Sequence, residues 1–291
     1  MPIDPVNLAN VTISGILTGL VYGLMALGLS VIFGVARVVN FAHGEMMTMA
    51  MYMTVLLFGQ LHINPFLVVI PVAVLFFFFG YLLQAKVIHP FITRPDHAQF
   101  MLLLAIAMIM TNALLIVFGP EARTVSLDSL LESLETGPLL VDRGKLYAAL
   151  VAFSATLALF AFFRLTPTGT AIRACADNGL GAKVVGLNVK HLYAIAFGLG
   201  AACVAVAGCM MIMLIDLTPA LGPTYTLLAF VIVIVGGLGS MNGALLAGVL
   251  IGLSEALAGL FIAPSAKSMV SFALLVLVLL FRPRGLLGDN L

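Results

Sequence analysis

The sequence has no tryptophan among its 291 residues, only three cysteines, and only 9% charged residues. Each shortage excludes something. A typical soluble domain carries about 25% charged residues. This chain instead combines few charges with 63% hydrophobic residues and a mean hydropathy of +1.21, so it cannot be a soluble domain of ordinary composition. A net charge of +1 with no basic cluster excludes a nucleic-acid surface. Cys175, Cys203 and Cys209 are odd in number and lie mostly inside apolar runs, so they make neither a disulfide framework nor a zinc pattern and are expected to pack as small residues. No basic segment or small-residue cleavage site precedes the first apolar run, which is expected to stay in the mature protein. Tyr147, Tyr193 and Tyr225 begin apolar runs and are expected at the membrane interface, where tryptophan often sits.

What the chain has is apolar length. Cutting it at clusters of proline, glycine and charge leaves nine runs, at about 11–35, 44–58, 66–87, 101–118, 146–163, 192–215, 225–235, 244–261 and 269–281. The expected fold is an all-α, polytopic transmembrane helical bundle forming a single transmembrane domain over residues 1–291. The second and seventh runs are short, so eight spans plus a re-entrant segment is the alternative. With nine spans and the N-terminus outside, nine basic residues fall inside (Arg37, Lys86, Arg94, Arg164, Arg173, Lys183, Lys190, Arg282, Arg284) and four outside (Arg123, Arg143, Lys145, Lys267). That bias favours this orientation over its reverse. The connection 119–145 carries Glu121, Asp128, Glu132, Glu135 and Asp142 and is expected outside, with a short helix in it. The connection 164–190 is expected inside.

Two polar breaks interrupt the apolar pattern. The first, N-F-A-H-G-E at residues 40–45, sets Asn40, His43 and Glu45 between two spans, where an ionised acid costs about 3 kcal/mol on insertion scales. One reading makes Asn40 a helix cap and Glu45 a first-turn acid that suits the helix dipole. The other places all three on a translocation path, and the two are compatible. The second break, V-G-G-L-G-S-M-N-G at residues 235–243, brings Gly236, Gly237, Gly239, Ser240 and Asn242. Interrupted membrane helices expose backbone groups to a cavity or gate, and a plain tight turn is the alternative. The two breaks echo each other and suggest two weakly related halves.

Small residues recur every four positions at Gly15, Gly19 and Gly23, and again at Ala244, Gly248, Gly252 and Ala256. That spacing lets helix backbones approach closely. Glu255 lies three residues after Gly252, so it falls on the packed side of its helix and is a further path candidate. In the connection 164–190, residues 169–175 and 182–185 look like short helices. Ala171, Ile172, Ala174 and Cys175 give them an apolar side too weak to bury alone. One reading lays this element on the headgroups through Arg173 and Lys183. The other docks it on a partner.

The motifs N-F-A-H-G-E at 40–45, G-T-A-I-R-A-C-A-D-N at 169–178, G-L-N at 186–188, G-G-L-G-S-M-N-G-A at 236–244 and F-R-P-R-G-L-L-G at 281–288 span nearly the whole chain. Together they resemble the LIV-H type permease of bacterial branched-chain amino acid ABC importers. The chain departs from that pattern at Met49–Tyr52, where G-A-Y is usual, and after Asp177, where an acidic-alanine run is usual. Urea and short-chain amide permeases look alike at the same motifs. The resemblance implies a multi-pass subunit of the bacterial cytoplasmic (inner) membrane that forms half of a path for branched-chain or other hydrophobic amino acids. It also implies a homologous second permease, two cytoplasmic ATPase subunits carrying ATP and Mg, and an extracytoplasmic substrate-binding protein. Gly169, Thr170, Arg173, Ala174, Asp177, Asn178, Gly186 and Asn188 match the region expected to couple to an ATPase.

Other classes fit less well. A secondary transporter would have only Glu45 and Glu255 for ion coupling. An intramembrane enzyme would need His43 and Ser240 as base and nucleophile, with no third member in sight. The segments around Gly144-Lys145 and 237–242 lack the glycine spacing and the Ser or Thr of a phosphate loop, so any ATP is bound by another chain. No cofactor, metal or catalytic residue is expected in this one.

Overall fold

The computed structural model describes residues 4–61, 65–92, 94–125, 133–136 and 139–288. The first helix, α1 (Pro5–Ala36), is 32 residues long, about 48 Å at 1.5 Å per residue. Asp4 caps it, accepting from Val6 N at 3.1 Å, and it stops where Arg37 turns left-handed at φ 55°. The chain returns beside it as α2 (His43–Leu61) and descends again as α3 (Pro65–Leu82), which widens into a π-helical stretch, Leu83–Ile88. Then come α4 (Asp96–Phe118), a two-stranded hairpin β1 (Ser133–Thr136) and β2 (Leu139–Asp142), and α5 (Arg143–Leu165). Two short helices follow, α6 (Pro167–Asp177) and α7 (Gly179–Val184). The chain closes with α8 (Val189–Met211), α9 (Leu221–Gly236), α10 (Met241–Phe261) and α11 (Lys267–Phe281).

Among the described residues, seven helical stretches are long and apolar enough to cross a membrane. The nine expected runs all appear as helices. Of the two runs expected to be short, the second extends to a 19-residue helix, α2, and the seventh is the 16-residue α9; neither is among the seven. Among the described residues, the hairpin and an isolated bridge between Arg123 and Leu217 depart from an all-helical fold. The described end of the connection 119–145, expected to hold a short helix, forms this hairpin instead, and Asp128 and Glu132 lie outside the described residues.

The glycine stripes do what their spacing predicts. α1 and α10 run antiparallel with backbones nearly touching: a Cβ built on Gly15 would meet Ala256, on Gly19 Val249, and on Gly23 Leu245. Helix α8 crosses α1 at a glycine pair, Gly28 against Gly200, and α2 crosses α9 at another, Gly44 against Gly222. The main helix contacts are α1 with α10, α3 with α8, α1 with α8, and α2 with α9. Exchanging α1 with α8, α2 with α9 and α3 with α10 leaves this pattern unchanged. That exchange relates the first three helices to α8, α9 and α10, but it carries the first polar break, between α1 and α2, onto the α8–α9 connection and not onto the second break, so the two halves do not rest on the echo between the breaks.

The bundle has two unlike ends. At one, Leu140 N donates to Asn10 Oδ1 at 3.1 Å and Lys145 Nζ to Ser14 Oγ at 2.6 Å, so the hairpin and the start of α5 sit on the first turns of α1. At the other lie α6, α7 and the segment after α11. Tyr225, expected at the membrane interface, is buried at 8% exposure near the start of α9, which packs against α2, α10 and α1.

Candidate functional site

α1 serves as a ruler for the predicted site residues. Ala256 packs at Gly15, His43 at Met25 and Gly239 at Gly34. The last two contacts are nine residues apart, about 14 Å along the helix. The two polar breaks and Glu255 therefore belong to three separate places.

At the first break, Asn40 and His43 are completely buried and serve the fold. Asn40 Oδ1 accepts from Ala42 N at 3.1 Å, a local turn just ahead of α2 rather than a bond to the helix's own first N–H groups. His43 Nε2 donates to Met25 O at 2.9 Å, which satisfies one ring nitrogen and ties α2 to α1. Gly44 N donates to Thr226 Oγ1 at 2.8 Å, and that hydroxyl donates in turn to Glu45 Oε2 at 3.0 Å. Only Glu45 of the three reaches open space. It lines a groove of about 340 Å³ walled by Phe41, Leu104, Met108, Asn112 and Thr226.

The second break is a docking point for the chain's own later residues. Gly237 and Gly239 adopt φ 108° and 83°, and Leu286 N and Leu287 N donate to Val235 O and Gly236 O at 2.8 and 3.0 Å. Side chains at Gly236 or Gly237 would strike backbone, which accounts for the glycines without a gate. Ser240 caps α10, accepting from Gly243 N at 3.1 Å. Its hydroxyl is thus committed, and the His43–Ser240 enzyme reading has no shared site. Asn242 is exposed on the first turn of α10. A cleft of about 550 Å³ joins Gly239 and Ser240 to Arg37, Arg284 and Asp177 of α6.

The coupling residues form a coherent surface. Thr170, Arg173, Ala174 and Asp177 fall at helical spacing on one exposed face of α6, while Gly169, Ile172 and Cys175 face inward against the bundle. The apolar side of α6 is therefore covered by α5 and α8, and burial pushes the Cys175 thiol pKa up, which makes it an inert packing group. Asn178 and Asn188 are caps, accepting from Gly181 N at 2.8 Å and His191 N at 3.2 Å. Gly186 turns the chain at φ 86°. Sequence reading missed three residues: Leu180, Val184 and Val185 of the α7 region are 75–87% exposed. Their signal was present, as apolar side chains flanking Lys183 in a helix too short to bury them.

A bundle of crossing apolar helices with short amphipathic helices at one end defines the class: a multi-pass membrane permease. Residues 11–279 match the model of the family described as branched-chain amino acid transport system / permease component, and the chain belongs to that family. It is 30% identical over 294 residues to the high-affinity branched-chain amino acid transport system permease protein LivH of Escherichia coli strain K12, covering 94% of both chains. It is 29% identical over 292 residues to BraD of Pseudomonas aeruginosa, covering 95% of this chain and 94% of that one. The probable LivH permease of Methanocaldococcus jannaschii is 26% identical over 281 residues, covering 91% and 88%.

Proposed function

We propose that the chain is one permease subunit of an ATP-driven importer of branched-chain amino acids. It would work beside a second, homologous permease, with ATP and Mg on two cytoplasmic ATPases and substrate delivered by an extracytoplasmic binding protein. The observation that carries this reading is the α6–α7 surface. Its polar face and the uncovered Leu180, Val184 and Val185 project from a rigid anchor between two long helices, which suits a knob pushed by a partner. On this reading α6 and α7 lie in the cytoplasm, the N-terminus lies outside, the C-terminus lies inside, and the membrane is the cytoplasmic one. The groove at Glu45 supplies this subunit's half of the path, with an acid for the substrate ammonium and apolar walls for its side chain.

Deleting the gene in its source cell should abolish high-affinity uptake of radiolabelled leucine, isoleucine and valine and leave urea and acetamide uptake unchanged. The opposite result would assign the chain to the amide permeases that share its motifs.

A further inference from the structure

A separate cavity of about 520 Å³ opens at the hairpin end, between α1, α10 and the first turns of α5 and α11. The transport reading makes no use of it. Its walls carry charges of both signs, Lys145 and Lys267 against Glu255 and Asp142, whose Oδ1 accepts from Lys145 N at 3.0 Å. Lys145 Nζ donates to Ser14 Oγ at 2.6 Å. Glu255 Oε1 accepts from Ser271 Oγ at 2.7 Å, and the Tyr22 hydroxyl lies beside the same carboxylate. Lys267 is exposed at the rim, its side chain passing over Gly259. Each of the two inner charges is held by neutral hydroxyls, and no ion pair joins them among the described residues. Opposite charges that face one cavity from separate walls are complementary to a ligand carrying both signs. The volume falls within the roughly 300–1,000 Å³ usual for small-molecule sites.

We propose that this cavity binds a small zwitterion, a molecule with an ammonium group and an anionic group a few bonds apart. Glu255 takes the ammonium. Lys145, with Lys267 at the rim, takes the anion. One ligand then neutralises both walls, which a plain anion or cation would not do. Two sources carry this chemistry, a free α-amino acid and the headgroup of an ethanolamine phospholipid entering from the bilayer. The inference does not rest on the transport reading, since it concerns binding to the permease alone.

The test uses the purified chain in nanodiscs of phosphatidylcholine, whose quaternary ammonium has no N–H to give Glu255. Calorimetric titration with L-leucine forms one arm. Native mass spectrometry of retained lipid, after adding phosphatidylethanolamine, forms the other. One of the two ligands should bind, and Glu255→Gln and Lys145→Met should each weaken it at least tenfold. Gly259→Leu is the decisive variant. A Cβ there meets only the Lys267 side chain, at 3.2 Å, so the substitution narrows the cavity and moves that flexible side chain slightly, while Lys145, Glu255 and the backbone stay in place. It should abolish binding with an unchanged unfolding temperature. Leucine binding identifies the amino-acid source, and ethanolamine-lipid binding identifies the lipid source. If neither binds, or if binding survives Gly259→Leu, the proposal is overturned. Failure of the gene-deletion uptake test would leave this result untouched.

Discussion

A methyl group added at Gly248 would run into Gly23 Cα and N, both main-chain atoms that cannot rotate away. Gly59 offers the contrast, since nothing lies within 4 Å of a Cβ built there. Overpacking costs typically about 1–3 kcal/mol, whereas alanine improves an open helix position by about 1 kcal/mol. Gly248→Ala should therefore lower the thermal unfolding midpoint in detergent by several degrees, and Gly59→Ala should leave it equal or slightly higher. The first outcome was legible in the sequence, because a four-residue glycine period has a direct geometric meaning. The partner of Glu45 was not. Thr226 lies 181 residues away, and nothing in its neighbourhood marks one threonine as the donor to a distant carboxylate. Asn40 and His43 were legible as unusual groups, but polarity inside an apolar chain does not say whether a side chain faces a path or ties two helices together.

At the scale of elements, α6 shows how much a helix's spacing can reveal. Thr166 caps it, its Oγ1 accepting from Gly169 N at 3.0 Å, and a Cβ on Gly169 would strike the main chain of Phe162 and Phe163, so α6 is fixed where α5 ends. Arg173 then points outward and, among the described residues, bonds to Thr170 Oγ1 at 3.4 Å. Reversing its charge removes no packing. The Arg173→Glu and Leu180→Asp proteins should insert and unfold like the parent yet retain less than a tenth of the ATPase in a pull-down. Parent-like association in both would leave α6 and α7 as helices resting on headgroups. The sequence reading took the apolar side of α6 as the uncovered one. The bundle covers that side, and the uncovered apolar surface belongs to α7. Amphipathicity shows that a helix has two faces; which face meets the protein's own core depends on tertiary contacts.

For the whole molecule, the two unlike ends make orientation a measurable quantity. Leu140 and Leu180 are exposed, at 52% and 77%, on the hairpin and α7 ends respectively. In a protein with Cys175, Cys203 and Cys209 replaced, an impermeant thiol reagent added to intact cells should label a cysteine at 140 and spare one at 180. The reverse pattern would turn the protein over and remove the ATPase from the reach of α7. The antiparallel pairing of α1 with α10 also bears on how the chain is made. Gly19 packs against the Gly248 region, roughly 230 residues later, an interval that takes about 10–45 s to synthesise at 5–20 residues per second. Helix α1 satisfies its own backbone hydrogen bonds and can wait in lipid, but its small-residue groove stays empty throughout that interval. A segment that enters the bilayer early is thus sealed late, and any other helix with a small-residue stripe that meets it in the meantime competes directly with the native partner.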